Sequence, residues 1–187
     1  MKGTAVYESE GRKKALDLVR SEIAREAIGQ LYDLLDRMRE TQADALKLLK
    51  KQSKRYPEVK LLDTIPGVGL IGASRFSAYI QTPDRFSNKR KLWSYCRLGI
   101  AQRSSDDKPL GRMALNRNGV GVLKDVSRKS FEGAKKTRAD NLFKRFFQRS
   151  LEVTHNETHA RLSTQRKILA VMRAVWKGGT PYQDDKG

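Results

Sequence analysis

Residues 64–73 read TIPGVGLIGA, a Pro-Gly-Val-Gly turn between two short apolar runs. Glycine adopts positive φ at little steric cost and lets another backbone come close, so this pattern predicts a tight hairpin of two helices. The first amide N–H groups of the second helix, at the positive end of its dipole, would suit an anion. A plain turn without a ligand is the alternative. The candidate binding residues of this turn are Pro66, Gly67, Val68 and Gly69.

The charge of the chain indicates which anion to expect. Its 187 residues include 39 Lys and Arg against 21 Asp and Glu, a formal net charge of +18. Such an excess favours a polyanionic partner. The chain has no apolar run of the roughly 20 residues that span a membrane, and no apolar signal block near Met1. We therefore expect DNA as the partner rather than a membrane, and backbone phosphates as the ligands of the hairpin turn.

Cysteine usage indicates the compartment. Cys96 is the only cysteine, so the chain cannot form an internal disulfide. Its neighbours Trp93 and Tyr95 favour a buried, inert thiol. We expect a reducing compartment and therefore a cytoplasmic, nucleoid-associated protein.

The segment before the hairpin predicts a long helical arm. From Arg12 to Lys54 there is no proline and only one glycine, Gly29, and apolar residues recur at steps of three and four. This periodicity is typical of an amphipathic helix, here about 60 Å long. Residues 1–56 are therefore predicted to form a coiled-coil arm, through which the protein would form a homo-oligomer. Two ordinary bundle helices are the alternative.

The rest of the chain predicts a small helical domain over residues 57–180 and a flexible tail over 181–187. Ser87 could cap a short helix that carries Leu92 and Trp93. Residues 98–121 are rich in Gly, Ser, Asp and Asn, which indicates a long ordered loop or short hairpin. Two further helices follow. The predicted fold class is thus mainly α: a helical arm, then a domain with a helix-hairpin-helix element and a long ordered loop.

Two clusters of side chains are candidates for a functional site. Lys89, Arg90 and Lys91 follow the hairpin and precede Trp93, and we expect them to contact nucleic acid. His155 and His159 are four residues apart, as on one helix face, but without a nearby third ligand they indicate no metal site. No metal ligand is therefore assigned to this chain.

Several motifs in order resemble one known family. The strings are LLDTIPGVGLIGASRFSAYIQTPDRFSNKRKLWSYCRLGIAQRSS (61–105), GRMALNRNGVGVLK (111–124) and LSTQRKILAVMRAVWKGGTPY (162–182). Together they resemble the C-terminal part of the IS110 family of insertion-sequence transposases, which includes the Piv-type DNA invertases. The stretch GQLYDLLDRMRETQADALKLLKKQSKRYP (29–57) is similar to the central coiled-coil arm of that family.

The resemblance implies a chemistry. The family uses a serine nucleophile in a short loop, which by motif corresponds to Ser105, with Ser104 as the alternative. A serine hydroxyl needs a base, a metal or positive charge nearby. The cations of the loop that could neutralise the attacked phosphate are Arg103, Lys108, Arg112 and Arg117.

The family also works with an N-terminal RuvC-like domain that binds Mg²⁺ on a DEDD set of acidic residues, and with a guide RNA. Residues 1–187 show no such domain, so we expect this chain to be inactive alone and to need a partner domain for DNA transposition. Its alternative function is that of a non-catalytic nucleic-acid-binding remnant or a regulator of an intact transposase. In a third interpretation the arm is the functional part and the basic domain only anchors it.

Overall fold

A computed structural model of the protein describes residues 5–101, 104–105, 108–109 and 114–184. These residues contain eight α-helices and four two-residue strands, so the prediction of a mainly α fold is confirmed. The chain divides into two compact units, Met1–Lys51 and Gln52–Gly187. No helix among the described residues is both long and apolar enough to cross a membrane.

The first unit consists of a short 3-10 turn, Ala5–Tyr7, the helix α1 (Ser9–Asp17) and all but the last two residues of the helix α2 (Glu22–Ser53). The prediction of one helix running from Arg12 is therefore wrong in its first part. The apolar periodicity continues through the break, but Ser21 begins a new helix: its Oγ accepts the N–H of Ala24 at 3.3 Å.

A bidentate ion pair joins α1 to α2. The Arg12 guanidinium donates two hydrogen bonds of 2.6 Å to the Asp36 carboxylate and lies 4.8 Å from the ring centroid of Tyr32. The hydrogen bond from Arg12, and then its charge, hold the pKa of Asp36 below its ordinary value. This pair fixes how α1 folds back along α2.

The described residues of α2 include none that is buried. Its large apolar side chains are open to solvent, and those more than 40% exposed are Ile23, Leu31, Leu34, Met38, Leu46 and Leu48. Four of these share one face, since Ile23, Leu31, Leu34 and Met38 follow one another at steps of eight, three and four residues. We call this face the α2 apolar face.

The second unit holds the remaining helices, which are α3 (Pro57–Asp63), α4 (Gly69–Ile80), α5 (Lys89–Tyr95), α6 (Gly121–Lys136), α7 (Leu142–Thr154) and α8 (Glu157–Gly178). α8 contacts α3, α5, α6 and α7, and α6 also packs on α4. The largest fully buried side chains are Leu62, Ile65, Phe76, Ile80, Leu92, Leu98, Leu123, Phe131, Phe143, Ile168, Leu169 and Met172. α8 is thus the central helix of one hydrophobic core.

Two short antiparallel ladders lie between α5 and α6. β1 (Ile100–Ala101) pairs with β4 (Ala114–Leu115), and β2 (Ser104–Ser105) pairs with β3 (Lys108–Pro109). The second ladder is nested within the first in sequence order. The segment predicted as a long loop or short hairpin therefore carries strand pairing.

The tail contacts the helical core. The backbone N–H of Tyr182 donates to Thr64 Oγ1 at 2.9 Å, and its ring stacks on Phe143 with centroids 6.2 Å apart. Asp184 Oδ1 accepts the N–H of Leu142, the first residue of α7, at 2.9 Å. These contacts join the tail, up to Asp184, to α3 and α7.

Candidate nucleic-acid interface

The predicted hairpin is present as two helices, α3 and α4, joined by residues 64–68. Ile65 and Val68 are buried, as expected for the apolar residues of the turn. Gly67 and Gly69 have φ of +82° and +62°, a region that side-chain-bearing residues rarely adopt. The two glycines therefore shape the turn. Its role in binding DNA stays a prediction.

The two glycines have different surroundings. A Cβ on Gly67 would lie 2.1 Å from the carbonyl oxygen of Ser130 and 2.3 Å from the backbone nitrogen of Ala134, both in α6. A Cβ on Gly69 would meet nothing within 4 Å. Packing against α6 thus accounts for glycine at position 67, and any ligand of this turn would have to approach from the side of Gly69.

The start of α4 suits an anion. The helix has no side-chain hydrogen bond at its N-cap, Val68, and no acidic residue in its first turn. Pro66, which precedes the cap, is partly exposed. The first turn of α4 therefore presents the positive end of a helix dipole without a carboxylate to offset it.

The basic start of α5 is exposed. Lys89, Arg90 and Lys91 all face solvent, and Lys89 Nζ lies 5.8 Å from the ring centroid of Trp93. Asn88 Oδ1 accepts the N–H groups of Arg90 and Lys91 at 3.0 and 3.1 Å. The expected cap at Ser87 is therefore wrong by one residue. Because these two amides of α5 are already used, a phosphate would contact the side chains.

The two candidate nucleophiles lie in one strand. In the β2–β3 ladder Ser104 is opposite Pro109 and Ser105 is opposite Lys108. Arg103 and Arg112 lie outside the described residues. Arg117 is described and exposed, in the segment that leads into α6.

Residues 98–121 carry both candidate serines, and we call them the serine-bearing segment. Its base is held by contacts that could not be predicted from the sequence. Trp93 Nε1–H donates to the carbonyl oxygen of Arg166 at 3.0 Å, and Arg166 Nε–H donates to the carbonyl oxygen of Leu98 at 2.8 Å. The guanidinium of Arg166 also lies 5.7 Å from the Trp93 ring centroid. Desolvation by burial lowers the pKa of Arg166. No spacing signal links positions 93 and 166, which only the packing of α8 on α5 brings together.

Cys96, His155 and His159 do not form a candidate catalytic or metal-binding centre. Burial raises the pKa of the Cys96 thiol to about 12, so it stays protonated at neutral pH and is a poor nucleophile. His155 ends α7 in the left-handed region, whereas His159 lies in the first turn of α8. In the described part of the chain, no three His, Cys, Asp or Glu side chains are grouped to hold a metal ion. The described residues therefore do not fit the Mg²⁺ site that the resemblance associates with a DEDD set.

Comparison with known proteins finds a family match for the central part of the chain. No curated protein matches the chain. A family match covers residues 59–129, which run from α3 into α6 and include the hairpin turn, the basic start of α5 and both candidate serines. It confirms the resemblance drawn from the ordered motifs. Residues 59–129 match the Transposase IS116/IS110/IS902 family, consistent with the C-terminal part of an IS110-type transposase.

Proposed function

We propose that the second unit is the DNA-binding part of a transposase and acts in DNA transposition in the cytoplasm, on the nucleoid. The observation that carries this proposal is the family match over residues 59–129. The net charge of +18 supports it, because neutralising phosphates supplies most of the affinity of such proteins for DNA. The exposed cations of Lys89, Arg90 and Lys91 supply part of that contact.

In this proposal Ser105 is the nucleophile, with Ser104 as the alternative. Its hydroxyl would lose a proton to a base and bond to the phosphorus of a phosphodiester, while one strand oxygen leaves. The covalent phosphoserine keeps the bond energy for rejoining. Arg103, Lys108, Arg112 and Arg117 would offset the charge of the attacked phosphate.

Catalysis would require a RuvC-like partner domain, which holds Mg²⁺ in the family that this chain resembles. The described residues of this chain include no group of three His, Cys, Asp or Glu side chains that could hold a metal ion. A guide RNA is a further proposed partner, by the same resemblance.

The α2 apolar face supports self-association. Its large side chains are exposed although apolar, and Leu31, Leu34 and Met38 follow the three- and four-residue steps of a coiled-coil seam. Pairing two such helices would remove this surface from water. We therefore propose a homo-oligomer formed through the arm.

DNA binding is tested with two variants of equal charge change. The first replaces Lys89, Arg90 and Lys91 by glutamine, and the second replaces Lys47, Lys50 and Lys51 of α2. Fluorescence anisotropy with a labelled duplex, across a range of NaCl concentrations, gives the affinity and its salt slope. The α5 variant should lower the slope by up to about 0.9 for each phosphate that it no longer neutralises. A wild-type protein whose binding ignores salt would contradict the proposal, and equal effects in both variants would contradict a specific role for α5.

The serine assignment is tested by trapping the covalent adduct. The full chain is incubated with labelled DNA, Mg²⁺ and a RuvC-like domain supplied separately, and adducts are resolved on a denaturing gel. Ser105→Ala should abolish the adduct, whereas Ser104→Ala should retain it. Loss only in Ser104→Ala would transfer the role to Ser104. An adduct that survives both substitutions would remove the assignment, and absence of any adduct would favour a non-catalytic nucleic-acid-binding remnant.

A further inference from the structure

An open pocket of about 570 Å³ lies where β4 leads into α6. Among the described residues that line it, none is acidic. Three are cationic, namely Arg97, Arg117 and Lys124, and Asn116 adds a polar amide. The pocket thus gathers three positive charges from three places in the chain: the residues just after α5, the segment after β4 and the first turn of α6.

The start of α6 increases this positive potential. The helix runs for 16 residues, its N-cap is Val120 without a side-chain hydrogen bond, and its first turn contains no acidic residue. Arg97 lies beside it, since a Cβ on Gly121 would be 3.2 Å from Arg97 Nη1. Cations are unfavourable near a helix N-terminus. A guanidinium and an ammonium at this end therefore form an arrangement that an anion would stabilise.

The nearest acidic residue in sequence does not offset these charges. Asp125 follows Lys124, but its carboxylate is engaged by Arg128 at 2.7 Å, Lys129 at 2.9 Å and Arg75 at 3.7 Å. Hydrogen bonds from Arg128 and Lys129 hold its pKa below the ordinary value. This carboxylate is thus already neutralised by cations outside the pocket.

Backbone contacts hold the pocket in shape. Arg97 Nε–H donates to the carbonyl oxygen of Gly119 at 2.8 Å, and the N–H of Val120 donates to that of Tyr95 at 2.7 Å. Arg97 itself has a φ of +57°, an unusual conformation for a residue with a side chain. The guanidinium is therefore fixed against α6 before any ligand binds, which lowers the ordering cost of binding.

We propose that this pocket binds one phosphate group of a DNA strand, with Arg97, Arg117 and Lys124 as its cationic ligands. The N–H groups of Gly121 and Val122 would be further donors, whereas that of Leu123 already donates to the carbonyl oxygen of Val120 at 3.2 Å. The proposal rests on the proposed function and specifies a contact within it. Because β4 pairs with β1, and these two strands flank the segment that carries Ser104 and Ser105, the pocket would anchor DNA at the base of that segment. Arg97 and Lys124 were not among the residues predicted from the sequence.

The test uses the full chain, inorganic phosphate as the probe and two variants of the same helix. Lys124→Gln removes a charge from the pocket, whereas Lys136→Gln removes one from the other end of α6. Amide signals of Gly121, Val122 and Leu123 are followed by ¹H–¹⁵N NMR while phosphate replaces chloride at constant ionic strength. Saturable shifts in the wild type and in Lys136→Gln, but not in Lys124→Gln, are expected. Unshifted amides in the wild type, or equal shifts in all three proteins, would overturn the proposal.

Duplex binding separates this proposal from the function on which it rests. Lys124→Gln and Arg117→Gln should each make the salt slope less steep by up to about 0.9, the value for one phosphate. If duplex binding by the wild type depends steeply on salt but phosphate does not shift the α6 amide signals, the pocket proposal is wrong and the DNA-binding function stands. Salt-independent binding together with phosphate-sensitive amides would reject that function and keep an anion site.

Discussion

Gly67 in the hairpin turn and Gly133 in α6 pack backbone against backbone. A Cβ on Gly133 would lie 2.9 Å from both the Cα and the carbonyl oxygen of Gly67. These atoms belong to the main chain and cannot move aside as a flexible side chain could. The pair therefore sets the distance between the hairpin and α6, and with it the position of the turn proposed to bind DNA.

Gly133→Ala should destabilise the second unit. The added methyl group overpacks the contact with Gly67, at a cost of about 1–3 kcal/mol. The melting temperature, measured by circular dichroism, should fall by about 2–4 °C for each kcal/mol. Gly178→Ala in α8 is the control, since its Cβ would meet only Thr180 Oγ1, at 3.8 Å. A Gly133→Ala protein as stable as this control would contradict the close contact.

Gly69 offers a cleaner test of the turn than Gly67, whose substitution would disturb packing. Asparagine tolerates the left-handed region, and aspartate has nearly the same shape with a negative charge. Gly69→Asp should therefore bind duplex DNA about tenfold more weakly than Gly69→Asn, because its carboxylate competes with phosphate for the positive end of α4. Equal affinities in the two variants, measured by anisotropy at low salt, would exclude a phosphate near Gly69.

Arg166→Lys should loosen the base of the serine-bearing segment. Lysine keeps the charge but has no Nε–H placed to reach the carbonyl oxygen of Leu98, and leaving that oxygen without its donor costs about 1–3 kcal/mol. Urea unfolding measures the change. Trp93→Phe removes the hydrogen bond to the carbonyl oxygen of Arg166, and the two substitutions should not be additive, because the residues are in contact. Strict additivity would show that the two residues act independently.

Cys96 predicts a loss of stability at alkaline pH. Its folded pKa is raised from 9.0 to about 12 by burial, so its contribution is fully present below about pH 9 and lost as the pH rises toward 12. Cys96→Ala should therefore lose less stability than the wild type between about pH 8 and about pH 10.5, as measured by urea unfolding. Parallel pH profiles in the two proteins would contradict the burial of the thiol.

Leu34→Glu should dissociate the proposed oligomer. A carboxylate in an apolar seam loses its hydration, so the dissociation constant should rise at least about tenfold. Light scattering after gel filtration gives the mass, and circular dichroism checks that α2 stays helical. Ala43→Glu is the control, since position 43 lies on the opposite side of the helix from Leu34. A wild-type protein that is monomeric at tens of micromolar would contradict self-association through the arm.

Local features of the sequence predicted much of the fold. The glycines of residues 64–73 marked the turn between α3 and α4, and Cys96 is buried as its aromatic neighbours indicated. The predictions failed where the local sequence is compatible with two placements of a helix end. Apolar periodicity hid the break before Glu22, and two adjacent polar residues, Ser87 and Asn88, could each have capped α5.

The candidate site was less predictable, because its residues meet only through tertiary packing. The contact of Gly67 with α6, the hydrogen bonds between Trp93 and Arg166, and the convergence of Arg97 with Lys124 all join distant positions. Such contacts cannot be predicted from residue type and spacing. They follow from the way α8 and α6 pack in the core.

The bond between Tyr182 and Thr64 joins positions 118 residues apart. Contacts of this separation form late, since a long stretch of chain must be ordered before they contribute. During synthesis the hairpin is made well before α8 and the tail, so its apolar residues lack their contacts with these later elements for that time. Completion of the second unit thus depends on residues made long after the hairpin, and the apolar residues of the hairpin lack these contacts until α8 and the tail have been made.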